Sequence, residues 1–253
     1  MAEGTVVLRQ LLAARRFGIE SLLILENRLE GLGDLLPAVP ADVPVYVASR
    51  DVLDSVAGFP MHRGVIGIGL RGAVPTLPEA LDQLSETATL VVCIGTANHD
   101  NIGAIFRNAA AFGANAVLID KTCCDPLYRK AIRVSVGAAL TVPFHAFDDA
   151  ETLASLLAER GFRQFALTPA GDVDIRSQIW AERTAIYLGS EGQGLPSSLV
   201  SRLIPTRISM APNFDSLNVA AASAIVFADT ASAAVTTSSA AAEVDSSTTC
   251  GAM

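Results

Sequence analysis

From Thr89 onward, short apolar runs alternate with stretches of helical periodicity, and this alternation constrains the fold more than any other feature. Leu90–Ile94, Ala116–Ile119, Phe165–Leu167, Ala185–Leu188 and Arg207–Ile208 read as strands, and Thr141–Phe144 as extended chain. Ile102–Phe112, Leu127–Val136 and Ala150–Arg160 carry apolar residues at helical spacing. A helix between consecutive strands is the crossover that parallel pairing requires, and a parallel sheet must be covered on both faces. The expected class is therefore α/β with a parallel sheet.

A smaller α/β unit precedes it. Residues 5–17 place Val6, Val7, Leu11, Leu12 and Phe17 on a helix, followed by strands at Ser21–Leu25, Val45–Ala48 and Val65–Leu70. Ser49 suits the cap of a helix through Val52, Leu53 and Val56, which Gly58 closes. The expected organisation is a front domain at 1–72, a linker at 73–88 with a short helix starting near Pro78, and a main domain at 89–235. The main domain ends in a helix from Ser216 to about Val235. Residues 236–253, rich in Ser, Thr and Ala without periodicity, read as a disordered tail.

Several classes are set aside on composition. The mean hydropathy of +0.42 owes much to alanine. The best membrane candidate, Leu217–Val235, carries Asn218 and Asp229, which are expensive in a bilayer. No basic region leads into an apolar core at the N-terminus, so no secretory signal is read there. The four cysteines form no C-x-x-C pair, and the expectation is a reduced, cytoplasmic protein. His62, His99 and His145 lack zinc spacing, so no metal site is expected. The net charge of −8 counts against nonspecific nucleic-acid binding but says little about local basic patches. Gly67-Ile-Gly-Leu-Arg-Gly72 matches a dinucleotide fingerprint, yet Pro75 and Pro78 prevent the helix that must follow, and no ribose-binding acid lies downstream.

Three segments carry chemistry. Asn98–Gly113 opens a helix after a strand, with Asn101 and Gly103 suited to an opening turn that meets an anion. Arg107, about 9 Å further along the helix, is expected on an apolar surface beside an anionic partner, either a ligand or a structural carboxylate. Leu188-Gly-Ser-Glu-Gly-Gln-Gly-Leu195 runs from a strand into a loop of three glycines around Glu191, where backbone can approach a ligand closely. It is not a P-loop, because no Lys-Ser/Thr follows. Ile208–Val219 leads from a strand through an irregular loop into a helix; Ser216 or Asp215 can cap it, which leaves Asn218 unexplained.

The ordered set N-x-G-x-x-x-R-x-A, G-S-E-G-x-G-L and I-x-M…S-L-N-V resembles the SpoU/TrmH-type RNA 2′-O-methyltransferases of the SPOUT superfamily, over roughly Leu90 to Val235. Glu3-Gly4 and Gly58–Val65 look like that family's N-terminal substrate-binding domain, itself similar to an RNA-binding ribosomal protein; the start is short, and that domain's first element is expected to be absent. The resemblance implies a trefoil-knotted catalytic domain, an exception to the avoidance of threaded chains. It also implies a homodimer, S-adenosyl-L-methionine as donor, and structured rRNA or tRNA as substrate, with rRNA favoured. Carried over, Thr168, Gly189, Ile208 and Leu217 would contact the donor. Arg107, Asn101, Glu191, Ser216 and Asn218 would form the catalytic set. Arg50, His62, Arg63, Arg129 and Arg133 would form a basic RNA track.

The chemistry fits those residue types. A ribose hydroxyl is a poor nucleophile until its proton leaves, and the donor methyl is already activated by its sulfonium, so alignment and proton removal are the tasks left to the protein. Free arginine titrates above about 12, so gripping the adjacent phosphate and polarising the hydroxyl is the favoured role for Arg107. Two alternatives are an inactive RNA-binding protein on the same fold, which the intact polar set argues against, and an unrelated small-molecule enzyme with a glycine-rich loop.

Overall fold

The computed structural model describes residues 1–14, 16–214 and 216–232. The expected tail and the far end of the closing helix lie outside the described residues.

Strands β1 (Ala2–Glu3), β2 (Phe17–Leu25), β3 (Val45–Ala48) and β4 (Val65–Arg71) form a mixed sheet in the order β1-β4-β2-β3. Helix α1 (Thr5–Ala13) lies against β4. It is shorter than its pattern predicts, because Phe17 and Ile19 take the alternation of a strand paired with Arg71 and Gly69. The glycines of the rejected fingerprint explain this packing. A Cβ at Gly67 would lie 3.2 Å from side-chain carbons of both Leu8 and Leu11. Helix α2 (Arg50–Ala57) starts after Ser49, whose side chain makes no cap hydrogen bond, and ends on Gly58 at φ 76. Helix α3 (Leu77–Asp82) crosses to the second sheet behind a capping box between Thr76 and Glu79.

The second sheet has seven strands, every neighbouring pair parallel. They are β5 (Ala88–Cys93), β6 (Ala116–Asp120), β7 (Phe144–Phe147), β8 (Arg163–Leu167), β9 (Val173–Asp174), β10 (Arg183–Leu188) and β11 (Ile204–Arg207), in the order β7-β6-β5-β10-β8-β11-β9. The connections are α4 (His99–Ala111), α5 (Arg129–Val134), α6 (Ala138–Thr141), α7 (Ala150–Glu159) and α8 (Ser197–Val200), and a last helix, α9, runs over 219–232. Alternate residues of β5 serve opposite faces. Val91 and Cys93 join one buried cluster with Ile102, Ile105 and Phe106 of α4, while Leu90 and Val92 join another with Leu153 and Leu157 of α7. The first cluster also takes in Val7, Leu8 and Leu11 of α1, so one hydrophobic core runs between the two sheets.

Thr141, expected in an extended segment, instead ends the short helix α6, and the strand begins at Phe144. The strand order reverses between β5 and β10: the chain steps outward from β5 through β6 to β7, then returns to the other side. In open parallel sheets such a reversal leaves a crevice at the carboxyl ends of the two strands. The first two chemical segments of the sequence follow β5 and β10 directly.

Candidate active site

Asn101, in the first turn of α4, is buried at 6% exposure. Its amide donates to Glu191 Oε1 at 2.8 Å. The Asn218 amide donates to that same oxygen at 2.9 Å and to Asn101 Oδ1 at 3.0 Å. Three residues from three separate segments thus close a triangle of hydrogen bonds with a carboxylate as shared acceptor. Two further contacts hold it in place. Asn108, two turns along α4, donates to the Ala220 carbonyl at 2.8 Å and to Ser223 Oγ at 2.9 Å, tying α4 to α9. The indole of Trp180 donates to Asp229 at 2.7 Å and ties α9 to the sheet.

Asn218 is also the cap of α9. Its Oδ1 accepts from the backbone N–H groups of Ala220 and Ala221, at 2.9 and 3.3 Å, and the helix begins at 219. The expected start at Ser216 is therefore corrected: a side chain that satisfies the helix end with its oxygen and the triangle with its amide accounts for asparagine here. Asp215 lies outside the described residues.

Gly103 is likewise reassigned. It lies buried inside α4, where a Cβ would come within 2.8 Å of the Ala131 carbonyl oxygen and of Val134 Cβ. Its role is close approach of α5, not an anion-binding turn. The expectation for Arg107 also changes. It is exposed, with no hydrogen bond or ion pair among the described residues, so a structural ion pair does not account for it.

Beside the triangle lies a cavity of about 450 Å³. Thr168, Gly189, Glu191, Ile208, Ser216 and Leu217 all line it, from loops after β8, β10 and β11 and before α9. Met210, Leu188 and Val219 line it too; they stand inside the three motifs, but the sequence alone assigns them no site role. The glycine-rich loop closes on itself: Gly194, at φ 67, donates to the Ser190 carbonyl at 3.0 Å. Gly189 passes so close to this closure that a Cβ there would lie 2.3 Å from the Gly194 carbonyl carbon. On the neighbouring loop, Thr168 donates its backbone N–H to the Thr206 carbonyl at 2.9 Å, and a Cβ at Gly171 would lie 2.4 Å from the Thr206 carbonyl carbon. Behind β5, Asp120 accepts from the backbone N–H groups of Gly95 and Cys123 and from the Thr122 hydroxyl. Burial alone would raise its pKa, but these bonds hold it below the usual carboxylate value. Burial, with Asp120 beside it, pushes the Cys123 thiol up to about 12, so it is no nucleophile.

The basic residues differ in how far their own chain engages them. Arg129 turns inward, 3.6 Å from the buried Glu3 and 4.0 Å from the ring centre of Phe59. Arg133, one turn on, is exposed, whereas Arg129 is partly buried. Arg50 donates to the Met61 carbonyl, and Arg63 to the Glu3 carbonyl at 3.4 Å, though both are exposed, as is His62. Among the described residues no group of three or more His, Cys, Asp or Glu is placed to hold a metal, and no helix is long and apolar enough to cross a membrane.

The SpoU rRNA Methylase family matches residues 88–228. The chain is 40% identical over 232 residues to a tRNA/rRNA methyltransferase of Mycobacterium tuberculosis, itself uncharacterized, covering 90% of this chain and 78% of the relative. It is 27% identical over 195 residues to the 23S rRNA (guanosine-2′-O-)-methyltransferase of Neisseria meningitidis, covering 76% and 78%. Among solved structures, an RNA 2′-O ribose methyltransferase superposes with TM-score 0.77 at 25% identity, covering 92% of this chain and 88% of that one. An S-adenosylmethionine-bound rRNA methyltransferase from Sinorhizobium meliloti superposes with TM-score 0.76 at 23% identity, covering 90% and 85%. The parallel sheet, the crevice at its reversal and these matches together place the chain in the SpoU RNA methyltransferase family.

Proposed function

We propose that this protein transfers a methyl group from S-adenosylmethionine to a ribose 2′-hydroxyl of structured RNA, with rRNA preferred over tRNA. The observation that carries the reading is the Asn101–Glu191–Asn218 triangle standing at a cavity lined by Thr168, Gly189, Ile208 and Leu217. The Neisseria relative supports ribose and rRNA as targets, and the Sinorhizobium neighbour supports the donor.

The cavity fits that donor by the character of its walls. Leu188, Ile208, Leu217 and Val219 offer an apolar slot, Thr168 and Ser216 offer polar groups, and Glu191 offers a negative charge at the edge. Backbone crowding at Gly189 leaves no room for a side chain, so the wall there is main chain whose polar groups can face a ligand. The donor, when bound, supplies a methyl group activated by a sulfonium. Arg107, exposed and unpaired among the described residues, grips the phosphate beside the target ribose and polarises its hydroxyl. Asn101 and Asn218 hold Glu191 in place, and Ser216 adds a hydroxyl at the cavity edge. Arg50, His62, Arg63 and Arg133 present RNA contacts from exposed positions, and Arg129 mainly holds the front sheet to the main one.

The same reading includes a trefoil knot and a homodimer. The backbone crowding at Gly171 against Thr206 and Arg207 supports tight passage of the loop after β8 across β11. Ile225, 41% exposed on α9, supports a paired helix face. The deciding experiment incubates the full chain with tritium-labelled donor and unmodified ribosomal or transfer RNA, then digests the RNA to nucleosides. Label in 2′-O-methylnucleosides supports the proposal; label on bases, or none in RNA, overturns it.

A further inference from the structure

A second cavity, of about 370 Å³, lies where β2, the segment leading into α3 and the edge strand β7 meet. Arg16, Phe17, Val74, Leu77, Phe144 and His145 are among its walls. The Arg16 guanidinium lies over the rings of Phe144 and Phe17, at 4.6 and 5.0 Å from their centres. Its one hydrogen bond among the described residues is long, 3.4 Å to the Val142 carbonyl, and no carboxylate there pairs with it. Burial lowers its pKa with no anion opposing the effect. A chain of net charge −8 thus holds a half-buried arginine without a carboxylate, an arrangement that favours binding of an outside anion. The rings cover faces of the guanidinium, but its donors lie in the plane and at the edge, where a phosphate is gripped bidentately. Arg71 at the rim is engaged by Asp125, so Arg16 carries the free charge. His145, 9% exposed, shares the cavity wall with Pro75 and is held toward its neutral form by burial and then by the charge of Arg16.

We propose that this seam cavity is a nucleotide site, with a phosphate on Arg16 and the attached ribose and base against Phe144, Leu77 and Val74. A guanidinium edge that no carboxylate engages among the described residues, apolar and aromatic walls for a base and the imidazole of His145 are the elements such a ligand needs. The nucleotide belongs to an RNA chain or comes free. Only the RNA source rests on the proposed function; the binding does not.

The test follows the His145 imidazole by NMR in the full chain. It uses adenosine and uridine 5′-monophosphates, the two nucleosides, inorganic phosphate and a short single-stranded RNA as separate probes. A monophosphate should shift the His145 signal saturably and raise its pKa, because the anion offsets the charge of Arg16. Nucleoside or phosphate alone should bind at least about tenfold more weakly, roughly 1.4 kcal/mol. Arg16→Met should remove the response. Val74→Trp, at a position 51% exposed, should block the cavity without touching Arg16. Donor binding in the first cavity, measured by calorimetry, should survive in both variants and shows that they fold. Competition by the short RNA, or binding of free monophosphate alone, each upholds the site and tells the two sources apart. A His145 signal unmoved by every probe, an unchanged response in both variants, or phosphate binding as tightly as nucleotide overturns it. Nucleotide binding without any methyl transfer to RNA would sink the proposed function and leave this site standing.

Discussion

Gly189 offers the sharpest single perturbation of the proposed donor cavity. A Cβ placed there would sit 2.3 Å from the Gly194 carbonyl carbon, 2.5 Å from the Leu195 nitrogen and 2.7 Å from the Gly194 oxygen. Carbon atoms rest about 3.5–4.0 Å apart, so Gly189→Ala must push the two backbone segments away from each other by roughly 1 Å. Overpacking costs about 1–3 kcal/mol when side chains can yield, and here all three neighbouring atoms are main chain, which puts the substitution at the upper end. The segments forced apart are the end of β10 and the closure of the glycine loop, both cavity walls. If about 3 kcal/mol falls on the bound state, affinity for S-adenosylmethionine drops by roughly a hundredfold. Calorimetric titration of the full chain measures this. Gly31→Ala, away from the cavity, is the control, because nothing lies within 4 Å of a Cβ there. It should leave affinity and stability within about 0.5 kcal/mol of the parent. If Gly189→Ala binds the donor within about threefold of the parent, less than about 1 kcal/mol, the crowding at this crossing does not shape the cavity and the reasoning fails.

Three further outcomes are expected. Arg107→Ala should leave unfolding stability within about 0.5 kcal/mol, since the side chain is exposed and unpaired among the described residues, yet slow methyl transfer by about a hundredfold or more; a large loss of stability in a denaturant titration would restore the structural role. Burial first and Arg16 second depress the pKa of His145, so the unfolded chain takes up that proton before the folded one. Stability is then complete above about pH 6.5 and declines as pH falls from there toward the folded value, and His145→Asn should flatten denaturation midpoints across that window. Arg133→Ala should lower the slope of log affinity for RNA against log salt by about one at most with no loss of stability, whereas Arg129→Ala should destabilise the fold through its contacts with Glu3 and Phe59; equal effects on both measurements would refute that division.

What the chain reveals before folding divides along physical lines. β5, β6 and β10 are readable because strands buried on both faces must be apolar throughout, and Leu90–Cys93 is. Short elements escape: α6 has four residues, too few to show a helical period. Residues whose partners are remote in sequence escape as well. Nothing near Arg129 announces Glu3, nothing near Gly103 announces Val134, and the double use of Asn218 needs Asn101 more than a hundred residues away. The clustering of Thr168, Gly189, Ile208 and Leu217 around one cavity was reachable through resemblance, not through periodicity, because it depends on β8, β10 and β11 ending side by side. Arg107 is the instructive case. An arginine on an apolar helix implies an anion nearby, and the nearest motif supplies one in Glu191. The structure commits that carboxylate to Asn101 and Asn218 instead. Because Glu191 Oε1 is shared by two amides and no other acid pairs with the guanidinium among the described residues, Arg107 stands exposed and unpaired there. The anion it is suited to meet must then arrive from outside, and a phosphodiester does so at each binding event. A carboxylate engineered to reach Arg107 would therefore cost activity even while it stabilised the fold.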